Sequence, residues 1–225
     1  MSPAALRGAG SDSVVVAAHE VTQAEWTATG LANPSRFVDP ARPVERVTWF
    51  DAVEYCNRRS LADALTPAYT ITAAGADWDR NADGWRLPTE AEWEWACRGG
   101  SASSVPGGDL TDTQCGLDPL LDVVGWYCGN AGAGTHPVGG KAPGPRGLYD
   151  MHGNVWEWCS DWYGPYEAEE QRDPVGPATG LNRVWRGGGW FLPAWSCRSA
   201  YRTWLEPGNR WHSLGFRLVA VQRAR

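Results

Sequence analysis

The sequence lacks both a long apolar run and a cluster of basic residues. No apolar stretch approaches the roughly 18 residues that a membrane-spanning helix requires. Lys and Arg (20) are fewer than Asp and Glu (26), which gives a net charge of −6, and the basic residues are dispersed. Binding to a nucleic-acid backbone depends on clustered positive charge. We therefore expect no membrane span and no nucleic acid as a partner.

Closely spaced cysteines are also missing. The six cysteines contain no C-x-x-C pair, and none of the four histidines stands at metal-ligand spacing from a cysteine, so a zinc site is not indicated. Residues 1–20 carry one arginine and a weak apolar run, unlike an export signal. We expect buried or free thiols and, by default, a cytoplasmic location. Whether Cys115 and Cys128 pair stays open.

The chain is instead rich in tryptophan, glycine and proline. Its 225 residues include 15 Trp, 27 Gly and 16 Pro, against 4 Phe and 2 Met. This length is ample for a proper core. A buried indole N–H needs a hydrogen-bond partner. So many indoles indicate either a core rich in side chain–backbone hydrogen bonds or an aromatic surface, and the glycine and proline content indicates many loops.

Two capping patterns predict helices. Thr48 begins one helix, with Asp51 at the third helical position and a narrow apolar stripe at helical spacing after it. Thr89 begins the other, with Glu92 closing the capping box, and Gly99 is placed to end that helix in the left-handed conformation. The sequence therefore predicts two amphipathic helices in its first half.

Short strands and long loops make up the rest of the predicted fold. Residues 13–26 read as a strand followed by a turn or short helix, and "AYTIT", "RVWRGGGW" and "LGFRLVAV" read as strands. In "GNVWEWCSDWY", alternation places Trp156 and Trp158 on one side and Glu157 on the other. Turn residues dominate from about residue 100 to 147. We infer one α+β domain with little regular structure.

A cysteine nucleophile is one catalytic possibility. Cys197 lies in "WSCRS", and a neighbouring cation such as Arg198 lowers the pKa of a thiol. Free cysteines are nevertheless more often buried and inert, which is the interpretation we favour. No pair of carboxylates is singled out for acid–base work, because capping and a solvent-facing helix surface explain the glutamates of "TEAEWEW".

The segment "DMHGNVWEW" offers several oxygen ligands in one short stretch. Asp150 and Glu157 supply carboxylates, and the turn between them supplies carbonyls near Gly153 and Val155. Calcium takes six to eight oxygen ligands of these kinds. On composition alone, an acidic residue on the solvent side of a strand is the commoner meaning of Glu157, so calcium is a hypothesis at this point.

The C-terminal stretch from 190 to 213 interleaves aromatic residues with Pro, Ser, Thr, Asn and Arg. Strict alternation fails in "FLPAW" and "TWLEPGNRWHS", so these pieces read as loops. Exposed Trp and Tyr beside Arg are typical of binding hot spots. We expect Trp185 and Trp190, next to the glycines, in the core, and Trp204 and Trp211 on the surface.

Five blocks of the sequence resemble the formylglycine-generating (sulfatase-modifying factor) family. They are "GWRLPTEAEWEWACRGG", "GNAGAGTHPVG", "GLYDMHGNVWEWCSDWY", "RVWRGGGW" and "LGFRLV", in matching order and spacing. The resemblance implies an α+β, C-type-lectin-like single domain with a small antiparallel sheet and two helices. It places that domain at residues 18–225, after an N-terminal segment of residues 1–17. It also implies structural calcium at Asp150, Gly153, Val155 and Glu157.

The chain departs from the catalytic members of that family at their copper-binding cysteines. Their two cysteines follow the "RGGSW"-type block, where this chain has "GGGWFLPAWSCRSAYR". Phe191 and Leu192 stand where the first cysteine is expected, and Cys197 is the only thiol of the segment. One thiolate alone makes a poor copper(I) site, so copper is not expected as a cofactor. The histidine-bearing helical domain of ergothioneine-type sulfoxide synthases is also not found.

The chain is most similar to a further, non-catalytic branch, the prokaryotic variable proteins of diversity-generating retroelements. The frames "RV-RGG-W", "R-A-R", "P-NR" and "GFRL" of that branch occur between residues 183 and 219, the expected variable region. The resemblance implies that the positions between these frames vary and bind the ligand. They are Phe191, Leu192, Pro193, Trp195, Ser196, Tyr201, Thr203, Trp204, Leu205, Trp211, His212 and Ser213.

The sequence therefore predicts a binding protein that presents this segment to a ligand, most simply another protein. Two alternatives remain at this stage. One is a copper-dependent oxidase of the formylglycine-generating type, and the other is an inactive accessory domain of the same family.

Overall fold

Residues 4–7, 13–73, 75–169 and 171–222 are described by the structure, a computed structural model. The helices within them are α1 (Gln23–Ala28), α2 (Trp49–Ala62), α3 (Glu90–Arg98) and α4 (Leu121–Val124). The strands are β1 (Ala4–Arg7), β2 (Ser13–Val16), β3 (Tyr69–Thr72), β4 (Gly75–Trp78), β5 (Trp156–Trp162), β6 (Arg183–Arg186), β7 (Arg202–Leu205), β8 (Leu214–Gly215) and β9 (Val219–Gln222). Of the predicted N-terminal segment, residues 1–3 and 8–12 lie outside this description.

The strands form three small sheets. β1, β2 and β9 pair antiparallel and bring the two ends of the chain together. β3 and β4 form a hairpin. The third sheet has the order β7-β6-β5-β8, in which β5 and β8 alone run parallel. This α+β arrangement with little regular structure confirms the predicted fold class.

Local sequence explains the two long helices. Thr48 and Thr89 each accept a hydrogen bond from the backbone N–H three residues on, and Asp51 and Glu92 bond back to the capping residue. Both predicted capping boxes are therefore confirmed. Gly99 ends α3 with φ +56°, a conformation that costs glycine least. The short helix α1 follows β2, as one of the two predicted outcomes for residues 13–26, whereas the short helix α4 was not predicted.

Buried indoles are tied to the backbone. Trp49 Nε1 donates to the carbonyl of Cys159 at 2.9 Å, and Trp158 Nε1 donates to that of Val47 at 3.1 Å. Both side chains are fully buried, as is Trp93. These side chain–backbone hydrogen bonds remove the cost of an unpaired indole N–H. Some of the tryptophans can therefore be buried in the core.

Three expectations need correction. "LGFRLVAV" does not form one strand, because Leu214 and Gly215 pair with β5 whereas Val219 begins β9 in another sheet. Cys115 and Cys128 form a disulfide, so only the remaining four cysteines are free and buried, as expected. Glu157 is not on a solvent face, because β5 is covered on both faces and this side chain has no exposed surface.

Within the described ranges, no helix is both long and apolar enough to cross a membrane.

Candidate ligand-binding surface

The glycines after β6 bring two segments of the chain into close contact. A Cβ added at Gly188 would lie 2.5 Å from the Cys197 sulfur and 2.9 Å from its Cα, and Gly188 has φ +86°. Both facts restrict this position to glycine. Arg186, just before it, is fully buried and donates to Glu94 and to the carbonyls of Ser199 and Ala200. The hydrogen bonds of the buried Arg186 side chain therefore hold the segment that follows β6 in place.

Backbone hydrogen bonds hold the first part of the predicted variable segment. The N–H groups of Ala194 and Trp195 donate to the carbonyls of Gln114 and Thr113, at 2.9 and 3.0 Å, and Cys128 N–H donates to Leu192 O at 3.1 Å. The Cys115–Cys128 disulfide, with its Cα atoms 5.2 Å apart, closes a loop that includes Cys128 and begins directly after Thr113 and Gln114. Residues 192–195 are thus fixed through main-chain atoms.

The predicted ligand-binding residues divide by exposure. Trp204 and Trp211 are 48% and 47% exposed, as expected. The half-buried members are Phe191, Leu192, Pro193, Trp195, Tyr201, Thr203, Leu205 and His212. Ser196 and Ser213 are buried at 1% and 0% and have no surface to offer a ligand, which corrects their inclusion. Ser196 Oγ instead donates to Pro193 O within its own turn. We call the ten exposed and half-buried residues the display face.

Ring contacts join four residues of the display face in two pairs. Trp195 packs edge-on against Tyr201 with ring centres 4.9 Å apart, and Tyr201 lies 5.9 Å from Trp156 of the core. Phe191 contacts His212 at 5.5 Å. Trp204 lies apart from these rings and packs on Tyr163 instead, at 6.1 Å. The display face therefore contains two aromatic pairs, Trp195 with Tyr201 and Phe191 with His212. Trp204 is a separate exposed ring.

Sequence reasoning missed one aromatic neighbour of this face. Phe37 lies edge-on to Trp190 at 5.4 Å and to His212 at 6.2 Å. Its segment, "NPSRF", reads only as a proline-broken surface loop. A single sequence carries no signal that a loop more than 150 residues away along the chain completes the surface.

The four predicted calcium ligands lie near the buried centre. Asp150 Oδ2 accepts from Gly139 N–H at 2.7 Å, whereas its Oδ1 is buried without a partner. Both oxygens of Glu157 accept from Arg217, at 2.6 and 2.7 Å, and Oε2 also accepts from Trp93 Nε1 at 2.8 Å. Each oxygen of the Glu157 carboxylate therefore already accepts at least one hydrogen bond.

A third buried carboxylate, Glu20, was not predicted. Its oxygens accept from Val155 N–H at 3.3 Å and from Asn154 Nδ2 at 3.2 Å. Burial, reinforced by the charges of Asp150 and Glu157, raises the pKa of Glu20 well above its usual value. Burial likewise raises the pKa of Asp150, to about 6. Each shift reflects carboxylates that are taken out of water.

The fit of these residues to calcium is incomplete. Three buried carboxylates face one guanidinium, and the unpartnered Oδ1 of Asp150 is a suitable oxygen ligand. Against this, Glu157 is committed to Arg217, and no group of three or more His, Cys, Asp or Glu side chains that could hold a metal occurs among the described residues. The calcium site stays a prediction that rests on the resemblance.

The thiols near the display face are not activated. Burial raises the pKa of Cys197 to about 12, and that of Cys97 likewise to about 12. His152 lies 3.6 Å from the Cys97 sulfur, but burial lowers its pKa to about 4, so the ring is neutral at pH 7. A thiolate is the reactive form of cysteine. Neither thiol therefore has the environment of a nucleophile.

The chain matches, over residues 9–222, the family model described as the sulfatase-modifying factor enzyme 1-like domain. It is 35% identical to the chaperone protein LppX of Paenibacillus barcinonensis, covering 89% of this chain and 78% of LppX. It is 37% identical to the formylglycine-generating enzyme of Thermomonospora curvata, covering 89% of this chain and 62% of that enzyme. The chain thus spans less than two thirds of that enzyme's length.

Among solved structures, the variable protein 1 of Treponema denticola has a similar fold. The two chains share 34% sequence identity with a TM-score of 0.85, over 98% of this chain and 92% of that protein. The match therefore covers nearly the whole of each chain.

Proposed function

Because the chain belongs to the sulfatase-modifying factor enzyme 1-like family, we propose that it is a non-catalytic binding protein of the variable-protein kind. The display face contacts the ligand, and the remainder of the domain holds that face in place. The likeness to the Treponema variable protein over almost the full length of both chains carries this proposal.

Features of the site support binding in preference to catalysis. Leu192 stands where the family's first copper-binding cysteine is expected, and Cys197 is a buried thiol with a raised pKa. The display face instead carries two half-exposed tryptophans and several further rings. Aromatic side chains supply much contact area at little cost in conformational entropy, which suits a protein ligand.

A genetic test asks whether the protein is a variable protein of a diversity-generating retroelement. Copies of the gene from related genomes are sequenced and their differences mapped onto the protein. We expect the differences to concentrate at the ten codons of the display face, beside a reverse transcriptase gene and a near-copy template repeat. Differences spread evenly over the chain would contradict the proposal.

A second test compares how much stability is lost when exposed display-face residues and a buried residue that supports them are substituted. We expect Trp204→Ser and Trp211→Ser to lower the free energy of unfolding by about 1 kcal/mol, because each ring is only half-exposed. Arg186→Ala serves as the matched frame variant. It leaves Glu94 and two carbonyls without their donor, and we expect a loss of about 3 kcal/mol or more. Equal losses at both kinds of position would count against a separate display face.

The identity to formylglycine-generating enzymes supports a second candidate, a copper-dependent oxidase. A copper(I) titration of the wild type and of Cys197→Ala separates the two functions. The binding proposal expects no tight, stoichiometric copper binding that depends on Cys197. Copper binding lost in the variant, together with oxidation of a cysteine-containing peptide detected by mass spectrometry, would establish the oxidase instead.

A further inference from the structure

An open pocket of about 480 Å³ lies at one edge of the display face. It is lined by Arg36, Arg46, Arg210, Trp211 and His212. Three of these five side chains carry a permanent positive charge, and none carries a negative one. Trp211 adds a half-exposed apolar wall. The pocket therefore combines positive charge and an aromatic ring in a chain whose net charge is −6.

The backbone of Arg46 is fixed in an unusual conformation. Its φ of +60° lies in the left-handed region, where glycine is favoured over residues with a Cβ. Its N–H donates to the carbonyl of Trp211 at 3.0 Å, which joins the two walls of the pocket. The needs of the backbone do not explain an arginine at such a position, which supports a role for its side chain.

The other two arginines are held in place from outside the pocket. Arg210 forms an ion pair with Asp51 at 3.0 Å and donates to Arg46 O at 3.3 Å. The backbone N–H of Arg36 donates to the buried carboxylate of Glu45, and its guanidinium lies over the Phe37 ring at 5.4 Å. Each side chain is thus positioned before any ligand arrives.

Two of the three guanidinium groups are free to bind a ligand. Arg210 shares its charge with Asp51, whereas neither Arg36 nor Arg46 forms an ion pair within the described part of the chain. The nearby Glu45 uses one oxygen to accept the N–H groups of Arg36 and Phe37 and has no exposed surface. The charge of Glu45 acts on both guanidinium groups, but neither is paired with it directly, so the pocket presents their N–H donors to solvent.

We propose that this pocket binds a carboxylate side chain of a protein ligand, with an apolar neighbour of that residue packed on Trp211. A guanidinium and a carboxylate form paired, charge-assisted hydrogen bonds, and an aromatic wall favours an apolar group beside the charge. The proposal rests on the proposed function and names the chemistry that this edge of the display face recognises: an acidic segment containing an aromatic or aliphatic residue.

The test uses the full chain, isotopically labelled for NMR, and three probes. The first is the peptide acetyl-GEFEG-amide, the second is the same peptide with Gln for Glu, and the third is sodium sulfate. Arg46→Gly and Arg36→Gln remove the two free guanidinium groups. Glycine suits the left-handed backbone at position 46, so the fold is retained there. Arg172→Gln is the control, because Arg172 is exposed and lies outside the pocket.

We expect the acidic peptide to shift the resonances of Trp211 and His212 and to bind the Arg36→Gln, Arg46→Gly double variant about tenfold or more weakly. The Gln peptide should not bind measurably, added salt should weaken binding, and Arg172→Gln should leave it unchanged. Equal binding of both peptides, binding of sulfate alone, or no binding would each overturn the proposal.

Failure of this proposal is distinguishable from failure of the proposed function. The function is judged by where gene copies differ and by the copper titration, neither of which involves the pocket. If the pocket binds no peptide but the gene copies differ mainly at display-face codons, the acidic ligand is ruled out and the proposed function stands.

Discussion

Arg217 faces Glu157 through two hydrogen bonds of 2.6 and 2.7 Å, with no exposed surface on either side chain. Trp93 donates to the same carboxylate, and Arg217 donates further to the carbonyl of Tyr149 at 2.9 Å. A buried ion pair of this kind offsets its own desolvation only while both partners remain.

Removal of one partner should therefore be costly. We expect Arg217→Met to lower the free energy of unfolding by about 3 to 5 kcal/mol, because Glu157 is left charged and unpaired in the core. Urea unfolding followed by tryptophan fluorescence measures the loss. If the ion pair is responsible, the double variant Arg217→Met, Glu157→Gln should recover part of it. A double variant as unstable as the sum of the single variants would contradict this explanation.

The buried carboxyl of Asp161 should make stability depend on pH. Burial raises its pKa to about 7, with a further contribution from the charge of Glu90. The native state therefore keeps a proton that the unfolded chain releases near its usual pKa of 3.8. This contribution to stability is complete below that value and is lost as the pH rises through about 7.

The matched variant is Asp161→Asn, which stays neutral at every pH and keeps an oxygen for the N–H of Glu90. Thermal melts are compared from about pH 5 to about pH 8. We expect the melting temperature of the wild type to fall more over this interval than that of the variant. Parallel curves would mean that Asp161 is ionised in the native state throughout.

The Cys115–Cys128 disulfide should stabilise the loop that supports residues 192–195. The bond closes a loop of separation 13, for which a loss of roughly 2 to 3 kcal/mol on removal is expected. In the double variant Cys115→Ser, Cys128→Ser, the amides of Ala194 and Trp195 should exchange hydrogen faster, since their acceptors, the carbonyls of Gln114 and Thr113, directly precede Cys115. A reducing agent should reproduce the effect in the wild type and leave the variant unchanged.

Calcium binding, if the resemblance holds for this chain, should depend on Asp150. We expect a chelator to lower the melting temperature of the wild type, because a ligand that binds only the native state stabilises it by mass action. Asp150→Gly is the control variant. Glycine adopts the φ of +58° found at this position without strain and removes the carboxylate, so the variant should not respond. An unresponsive wild type would argue against the site.

Local patterns in the sequence predicted the helices well. A capping box needs only residues three apart, so Thr48 with Asp51 and Thr89 with Glu92 identify their helices without knowledge of the fold. The exposure of Trp204 and Trp211 was also predicted correctly, but the loop predicted around Trp204 was wrong, because this residue lies in strand β7.

The features that were not predicted from the sequence depend on contacts between residues far apart in the chain. The partner of Glu157 is 60 residues away, and alternation alone places this side chain in solvent because it assumes a strand with one open face. The disulfide joins two cysteines whose loops are positioned by the rest of the chain. Arg36 and Arg46 reach the display face from a loop that carries no aromatic pattern of its own.

The position of Arg217 has a consequence for how the chain is made. Its side chain bonds to Glu157 and to the carbonyls of Ala17 and Tyr149, and β9, which follows it, pairs with β2 near the N-terminus. Contacts so distant in sequence form only once the C-terminal end has been synthesised. The display face is translated before them. A stop codon or frameshift within the display face therefore removes these contacts, and the truncated or altered chain cannot complete its core.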